Sequence, residues 1–251
     1  MKKTAFLFFL IYSTTLFAQK NEAKKDAGVD YLFTKEMYGG FRLQSNGFSV
    51  YLEHGWIKNI YRTHIVQVEY QYFFDPKEIK TPALREGGKS YVFGLQNRFH
   101  ALRASYGFEQ MIADKADRNG VKLSFVGFAG VSLGLLKPYY VEVVDFANSY
   151  EIITHSETYN GSSDSRVLSK DSIFEASPYS VGMDKMKPIL GGHIKLGLNF
   201  DWGKRDAFVK AIELGVMMDV YYKKVPIMIN NSTNRMIHPA FYIGFHLGKR
   251  W

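Results

Sequence analysis

The sequence lacks cysteine altogether and has only 7 prolines in 251 residues. The absence of cysteine excludes disulfides, cysteine-ligated zinc or iron–sulfur sites and any cysteine-linked lipid anchor. After residue 18, every apolar run is also too short for a membrane-spanning helix, which needs about 20 residues. Aromatic residues and glycine are abundant instead, with 20 Phe, 17 Tyr, 3 Trp and 22 Gly. This composition favours β-strands over helices.

The first 18 residues have the pattern of a secretory signal peptide. Lys2 and Lys3 precede an apolar run over 5–11, and the segment ends on a small residue, Ala18. A basic start, a short apolar stretch and a small residue before a polar segment are typical of a cleaved export signal. We therefore predict a signal peptide over 1–18, followed by a periplasmic leader over 19–35.

From residue 37 onward, apolar and polar residues alternate with a period of two. In 191–202, one set comprises Ile194, Leu196, Leu198, Phe200 and Trp202, and the other His193, Lys195, Gly197, Asn199 and Asp201. The same alternation recurs in 66–72, 102–109, 211–220 and 241–251. Because successive side chains of a strand point to opposite faces, each segment predicts a strand with one apolar and one polar side.

Short turns and long connections separate these segments. Asn46-Gly47 is a strong hairpin signal, whereas the connection over about 148–190 is long and polar. Outer-membrane barrels combine short periplasmic turns with long external loops. We therefore predict an all-β fold, a transmembrane antiparallel up-and-down β-barrel over 36–251, with a large external loop at about 148–190.

Ten segments have the length and alternation of strands, so the expected strand number is about ten. An even number is also expected, because both termini of such a barrel lie in the periplasm. A barrel of eight strands is the alternative. The predicted strands lie near 36–45, 48–56, 63–74, 90–97, 99–110, 121–136, 139–146, 191–202, 208–220 and 239–251.

Aromatic residues near the strand ends predict interfacial girdles. They are Trp56, Tyr61, Phe73, Phe74, Tyr139, Tyr140, Trp202, Tyr221, Tyr222 and Trp251. The rival interpretation is a secreted soluble barrel whose apolar face points inward. The membrane interpretation is favoured because the polar faces carry glycine and charges of both signs, and because the chain stops on an alternating strand with an aromatic end. That ending resembles the signal that the barrel assembly machinery recognises.

The polar faces predict a network of charges inside the lumen. Its members are Glu69, Arg103, Glu109, Lys195, Asp201, Glu213, Asp219, His246 and Arg250. A barrel of eight to ten strands is only just wide enough for side chains, and an unpaired buried charge is costly. Mixed charges are therefore expected to pair and plug the lumen, and a narrow ion or solute path is the alternative.

Two sequence patterns suggest catalysis only weakly. The segment 130–134 matches the G-x-S-x-G nucleophile elbow, but it lies inside a strand-like run without a following helix. His155-Ser156 suggests a lipid acyl hydrolase, although nothing in the sequence places a base and an orienting residue beside a nucleophile. We predict no catalytic residue and no enzyme.

The histidines lack the spacing of a metal site. They are scattered, with no H-E-x-x-H helix. His193 and His246 fall on predicted polar faces, where contact with Glu213 or Asp219 in the lumen is an expectation and a metal site is the unsupported alternative. Hydrogen-bonded interior histidines are the favoured interpretation. We predict no metal, no cofactor and, because nucleic-acid-binding motifs are absent, no nucleic-acid partner. The formal charge is +8, of which Lys2 and Lys3 belong to the signal peptide and several further lysines to the leader. Lipid and lipopolysaccharide headgroups at the barrel rim explain the remaining basic charge better than nucleic acid does.

Several segments resemble a family of small, mostly uncharacterised outer-membrane β-barrel proteins of Bacteroidota. They are 75–80 (DPKEIK), 90–99 (SYVFGLQNRF), 130–140 (GVSLGLLKPYY), 195–200 (KLGLNF) and 211–215 (AIELG). The chain is also distantly similar to the PorT-like barrels associated with type IX secretion. The resemblance covers about 36–251 and implies an outer-membrane barrel, without assigning any catalytic residue.

Together these observations predict a non-enzymatic outer-membrane barrel. Its expected role is that of a structural or accessory component of an envelope complex, in secretion or barrel assembly. The expected contacts are with outer-membrane lipid and lipopolysaccharide, with the assembly machinery through the strand ending at Trp251, and with an envelope protein. The alternatives are a narrow ion or solute channel and a lipid-modifying barrel enzyme.

Overall fold

The computed structural model describes residues 33–84, 86–116, 120–147, 152–159, 161–162, 165–203, 207–229 and 234–251. The predicted signal peptide and nearly all of the leader lie outside these ranges. Within them, no helix has the length and apolar character needed to cross a membrane.

The described residues form an all-β structure built on a closed antiparallel barrel of eight strands. The order around the barrel is β1-β13-β12-β11-β7-β6-β3-β2, so the first and last strands pair and close it. The barrel strands are β1 (Lys35–Gln44), β2 (Gly47–Asn59), β3 (Arg62–Phe73), β6 (Asn97–Ala113), β7 (Lys122–Pro138), β11 (Lys187–Asp201), β12 (Phe208–Tyr221) and β13 (Ile237–Arg250).

Five further strands of the described ranges lie outside the barrel. They are β4 (Lys80–Thr81), β5 (Tyr91–Val92), β8 (Tyr140–Ala147), β9 (Ile152–Thr158) and β10 (Ile173–Ala176). The first two form a two-stranded sheet, and the other three form a sheet in the order β10-β8-β9. Short 3-10 helices over Arg166–Leu168, Lys170–Ser172 and Met183–Lys185 complete the regular structure.

The barrel buries polar side chains and exposes apolar ones. In β11, buried Lys195 and Asn199 alternate with Leu196 and Leu198, which are 45% and 39% exposed. The most exposed apolar side chains of the barrel strands, each more than half exposed, are Leu52, Val68, Tyr106, Ile112, Val131, Leu190, Phe241 and Leu247. The alternation predicted for these strands is confirmed, with the polar face inward.

The two ends of the barrel differ. At one end lie the start of β1, the end of β13, and the connections 60–61, 114–121 and 202–207. At the other end, the connections 74–96, 139–186 and 222–236 are long, and only the turn Ser45-Asn46 is short. The end with the long connections is called the cap end below.

The three long connections pack together into a cap with its own apolar core. Loop 222–236 joins loop 74–96 through hydrogen bonds from the amides of Gln96 and Asn97 to the Ile227 carbonyl. Loop 139–186 joins loop 74–96 through the Ala176 amide, which donates to the Lys89 carbonyl. The shared core contains Tyr91, Val92, Leu95, Tyr139, Val141, Val143, Val167, Ile173, Val225, Ile227 and Met228.

The preferred count of ten strands is wrong, and the alternative of eight is observed. Of the predicted strand 90–97, Tyr91–Val92 forms the short strand β5 and Asn97 already begins β6. A strand of two residues is too short to cross a bilayer. The predicted strand 139–146 exists as β8, but it pairs with β9 and β10 and not with the barrel. Its alternation reflects burial of Val141 and Val143 in the cap core. The predicted loop 148–190 therefore contains β9, β10 and the 3-10 helices, and β11 already begins at Lys187.

Three of the predicted girdle aromatics point inward. Phe73, Tyr139 and Tyr221 are at most 5% exposed and belong to the cap core. Trp56, Trp202 and Trp251, each at least 40% exposed, lie on the outer surface at the end opposite the cap. The outward orientation expected of girdle residues is observed for the tryptophans. It is wrong for these three residues, because an aromatic at a strand end also serves to close the barrel mouth.

Candidate functional site: the lumen charge network

All nine residues of the predicted charge network point into the lumen. Eight of them are at most 4% exposed, and the side chain of Arg250 is 12% exposed. They come from β3, β6, β11, β12 and β13. Inward-pointing side chains from distant sequence segments therefore lie together in the lumen. Two groups of ion pairs result, one in the middle of the barrel and one near the chain termini.

Arg103 is the centre of one middle-layer cluster. Its guanidinium binds Asp219 through both carboxylate oxygens, with Nε–Oδ1 at 2.9 Å and Nη2–Oδ2 at 2.5 Å. Its Nη1 donates to Glu69 Oε1 at 3.1 Å. A two-pronged guanidinium–carboxylate pair is the strong, directional form of this interaction. It joins β6 to β12 across the lumen, because these two strands are not neighbours in the barrel.

Arg42 and Lys195 form the second middle-layer cluster. Arg42 Nη1 lies 2.8 Å from Glu69 Oε2, and Arg42 Nη2 lies 3.5 Å from Glu213 Oε1. The ammonium of Lys195 donates to Glu213 Oε1 at 3.0 Å and lies 3.7 Å from Glu53 Oε1. Arg42 and Lys195 are completely buried, so the network fills this layer of the lumen.

Aromatic side chains complete the middle layer. The Arg42 guanidinium lies 4.1 Å from the ring centre of Tyr51, and the Lys195 ammonium lies 4.1 Å from that of Phe128. The Tyr51 hydroxyl is 2.7 Å from His246 Nδ1, and His246 Nε2 is 3.1 Å from Asn199 Oδ1. Cation–π contacts are stronger in a water-poor interior, so these rings stabilise the buried cations.

A second group of ion pairs lies near the termini. Arg250 binds Glu36 at 2.9 Å and Asp201 at 3.0 Å, and Lys122 binds Glu109 at 3.0 Å. The pair between Arg250 and Glu36 crosses from β13 to β1, the two strands that close the barrel. This group therefore also ties together the first and last strands.

The sequence prediction missed Arg42, Glu53, Glu36, Lys122 and His193 as members of the network. The signal for Arg42 was present, because it lies between the apolar residues Phe41 and Leu43 in an alternating segment. His193 was placed on a polar face but not in the network, and its Nδ1 lies 3.3 Å from Asp219 Oδ1.

One part of the network has the composition of a metal site. Ligand atoms of Glu53, Glu213 and His246 lie within 4.8 Å of one another and are buried. Lys195 already contributes a positive charge 3.0 Å from Glu213 and 3.7 Å from Glu53, and Arg42 also contacts both carboxylates. These carboxylates are thus neutralised by side chains, and the arrangement is that of an ion-pair network.

The cap end of the lumen is closed by apolar side chains. The rings of Phe73 and Phe99 are tilted by 35° to each other with centres 4.7 Å apart, and Phe99 meets Tyr221 edge-on at 5.1 Å. Residues of the cap loops, among them Leu95 and Ile227, belong to the same buried cluster. The charged middle layer is therefore covered by an apolar layer on the cap side.

The two weak catalytic patterns do not assemble a nucleophile and base. Ser132 lies within β7, and its hydroxyl is 2.9 Å from that of Tyr221. In the three-stranded sheet β10-β8-β9, called the cap sheet below, Ser156 donates to Glu142 at 2.6 Å, whereas the neighbouring His155 lies 2.5 Å from Asp145. Successive strand residues point to opposite faces, so His155 cannot act as the base for Ser156.

His155 instead belongs to a surface cluster of charges on the cap sheet. Arg166 donates to Asp145 Oδ1 at 2.7 Å, and its Nε lies 3.6 Å from Glu157 Oε2. The hydrogen bond from Arg166, followed by that from His155, lowers the pKa of Asp145 below its usual 3.8. This cluster links the strands β8 and β9 to the first 3-10 helix.

Comparisons with known proteins give structural similarity without sequence similarity. No protein-family model matches the chain, and no curated protein matches its sequence. The attachment invasion locus protein Ail of Yersinia pestis, solved with the heparin analogue sucrose octasulfate, has a TM-score of 0.42 at 10% identity, covering 86% of this chain and 97% of Ail. Neisserial surface protein A has a TM-score of 0.41 at 8% identity, covering 86% and 96%.

The N-terminal β-barrel domain of Pseudomonas aeruginosa OprF has a TM-score of 0.35 at 10% identity, covering 87% of this chain and 98% of that domain. These similarities are too distant to bear on function. The strand order and burial pattern of the chain itself establish its fold.

Proposed function

We propose that the protein is a non-enzymatic β-barrel of the outer membrane that acts through its folded cap as a structural or accessory component of an envelope complex. The observation that carries this proposal is the inverted burial pattern, with charges inside, an apolar wall outside, and an apolar cap over one end. Secretion or barrel assembly in Bacteroidota, as in PorT-like proteins, is the context that the sequence resemblance suggests.

The membrane position is supported by the energetics of the outer wall. Leu52, Val131 and Leu247 are 59–67% exposed, and they belong to an apolar surface that continues around the barrel. Contiguous exposed apolar surface of this extent is unfavourable in water and favourable in lipid. The first and last strands also pair, so their backbone N–H and C=O groups are hydrogen-bonded. A bilayer requires this, because its hydrocarbon core offers no water to these groups.

The closed lumen favours the structural role over the channel. Arg42, Arg103 and Lys195 are at most 1% exposed, and each contacts at least one carboxylate. Moving an ion through this layer would separate buried ion pairs, at a cost of several kcal/mol for each uncompensated charge. The channel therefore remains the second candidate, with conductance as its test.

The cap offers a surface for a protein partner. Ile79 and Leu84 in loop 74–96 are 74% and 63% exposed, and Ile153 and Met183 in loop 139–186 are each 50% exposed. The cap core and the hydrogen bonds between loops hold these side chains on an ordered framework. Apolar side chains presented on a rigid surface are typical of protein-binding sites.

The proposal is tested by purifying tagged full-length protein from outer membranes in mild detergent and identifying co-purifying proteins by mass spectrometry. We expect an envelope protein in stoichiometric amount, lost in the double variant Ile79→Asp/Leu84→Asp. Tyr61→Asp, at the opposite end of the barrel and 56% exposed in the wild type, is the matched control and should retain the partner. Recovery of the barrel alone would contradict the accessory role.

The channel alternative is tested by planar-bilayer recordings of the purified barrel. The filled lumen predicts no stepwise conductance from the wild type. Steps whose size and ion selectivity change in Lys195→Met would favour the channel over the accessory role.

A further inference from the structure

A small cavity lies where the outer barrel wall meets the cap. It has a volume of about 290 Å³ and lies between the ends of β6 and β7, loop 74–96 and the segment following β10. Its lining includes Lys89, Arg98, Lys137, Ser177 and Tyr179. This cavity is called the rim pocket below. It lies outside the lumen network and has no part in the proposed docking surface.

Two adjacent cations line the rim pocket without a carboxylate partner. Arg98 and Lys137 are direct cross-strand neighbours on β6 and β7. Among the described residues, neither forms an ion pair within 4.0 Å. Lys137 is only 3% exposed, and its ammonium lies 4.4 Å from the ring centre of Tyr179. Burying a cation beside another cation is unfavourable unless an anion compensates them.

The contacts of Arg98 leave part of its guanidinium unused. Arg98 Nη1 donates to the Tyr72 hydroxyl at 2.5 Å, and the guanidinium lies 5.1 Å from the ring centre of Tyr139. A guanidinium carries five N–H donors, so Arg98 retains the capacity to bind an anion through two of them. Tyrosine hydroxyls and the Ser177 hydroxyl supply further polar atoms around the cavity.

The nearby carboxylates have other partners. Glu142 accepts hydrogen bonds from Ser156 and Ser177, Glu175 accepts one from the Lys89 amide, and Glu78 accepts one from the Asp75 amide. None of the three lines the rim pocket. Glu78 lies with Arg98 in the neighbouring cavity of loop 74–96 and attracts its guanidinium from there, beyond ion-pair distance. The cavity therefore has a positive lining from Lys89, Arg98 and Lys137.

The walls of the rim pocket are held in place. Tyr179 is anchored to the barrel by a 3.0 Å hydrogen bond between its hydroxyl and His100 Nε2. The Ser177 amide donates to the Tyr140 carbonyl, and the Ala176 amide donates to that of Lys89. The pocket is thus a preformed cavity with walls held by hydrogen bonds from both the barrel and the cap.

The position along the strands indicates where the ligand comes from. On β7, Lys137 follows the outward-facing residues Val131, Leu133 and Leu135, and on β6 Arg98 lies beyond Leu102 in the same direction. The cations therefore lie at the border of the apolar wall, on the cap side. In the proposed membrane position, this is the depth at which the headgroups of the outer leaflet lie.

We propose that the rim pocket binds a phosphate group, with Lys137 and Arg98 as the ligating cations. Phosphate fits the chemistry because its oxygens accept from a guanidinium fork and an ammonium together. The phosphate can belong to an outer-leaflet glycolipid or to a soluble compound, and only the first source rests on the proposed membrane position.

The test measures binding by microscale thermophoresis, with purified full-length protein in an uncharged detergent. The probes are diphosphorylated lipid A, the same lipid without its phosphates, and inorganic phosphate. We expect saturable binding of diphosphorylated lipid A and none of the dephosphorylated form. Lys137→Gln should weaken binding about tenfold, equivalent to about 1.4 kcal/mol. Lys137→Arg should retain it, and raised salt should weaken it.

Lys210→Gln is the matched control, because it removes one lysine from the outer surface near the opposite end of the barrel. It should leave binding unchanged. Equal binding of inorganic phosphate would assign the pocket to soluble phosphate compounds, whereas lipid A binding alone would assign it to the membrane. Absence of binding by both phosphate probes would overturn the proposal. The proposal would also be overturned if Lys137→Gln and Arg98→Gln both remained folded and bound the phosphate probes as tightly as the wild type. This assay is independent of partner capture, so its failure is distinct from failure of the accessory role.

Discussion

Replacing Arg103 by methionine tests whether the lumen is a closed ion-pair network. Arg103 makes three hydrogen bonds to carboxylate oxygens, two to Asp219 and one to Glu69, and it is 1% exposed. Its middle layer contains the cations Arg42, Arg103 and Lys195 and the carboxylates Glu53, Glu69, Glu213 and Asp219. Removing Arg103 leaves two cations facing four carboxylates.

The expected loss is about 3–5 kcal/mol of unfolding free energy, which is typical when one partner of a buried ion pair is removed. Asp219→Asn should cost less, about 1–3 kcal/mol, because the amide still accepts a hydrogen bond. The double variant should lose less than the sum of the two single variants, by about 0.5–3 kcal/mol, because the two side chains interact directly.

The assay is urea unfolding of the protein refolded into phospholipid vesicles, followed by tryptophan fluorescence. Arg62→Met is the matched control, because Arg62 is exposed at the start of β3 and should change stability by no more than about 0.5 kcal/mol. If Arg103→Met lowered the unfolding free energy by less than about 1 kcal/mol, a closed ion-pair network would be refuted, because losses this small are typical of ion pairs in contact with water.

Three further predictions concern packing, acidity and catalysis. Gly40→Ala should destabilise the barrel by about 1–3 kcal/mol, because a Cβ there would overlap the Tyr51 ring and a backbone carbonyl, whereas Gly192→Ala has room and should be neutral in the same urea assay. Because the pKa of Asp145 is lowered in the folded protein, its contact with Arg166 stabilises the cap sheet above the usual Asp range and is lost as pH falls through the lowered pKa. Protection of the amides over 152–159 from hydrogen exchange, corrected for the slower intrinsic exchange at low pH, should therefore fall on acidification more in the wild type than in Asp145→Asn, and an equal fall would contradict this. Ser132→Ala should leave lipid hydrolysis by membrane preparations unchanged, and a loss of hydrolysis would revive the enzyme alternative.

The sequence pattern predicted the wall of the barrel well, because the direction of each strand side chain depends only on its position within its own strand. Each strand residue alternates between lipid and lumen, so the inward position of Glu69, Arg103 or Asp219 follows from its apolar neighbours alone. The pairing of Arg103 with Asp219 could not be predicted, because it depends on the strand order and stagger of the closed barrel.

The cap was misjudged for a different reason. Alternation indicates a strand with one buried face, and it does not identify what buries that face. In β8 the covering surface is the cap core around Val141 and Val143, so a membrane strand was predicted where a cap strand exists. Phe73 and Tyr221 could have been assigned correctly, since they share the inward parity of Gln71 and Asp219.

The most direct test of the central claim is single-cysteine labelling with a membrane-impermeant maleimide. The wild-type chain contains no cysteine, so the background is clean. Lys224→Cys reports on the cap away from the proposed docking surface and Ile60→Cys on the turn between β2 and β3, and both wild-type side chains are exposed. In intact cells that carry the protein in their outer membrane, we expect labelling of Lys224→Cys at once and of Ile60→Cys only after permeabilisation. Labelling of Ile60→Cys from outside, or recovery of both variants in the soluble periplasm, would contradict it.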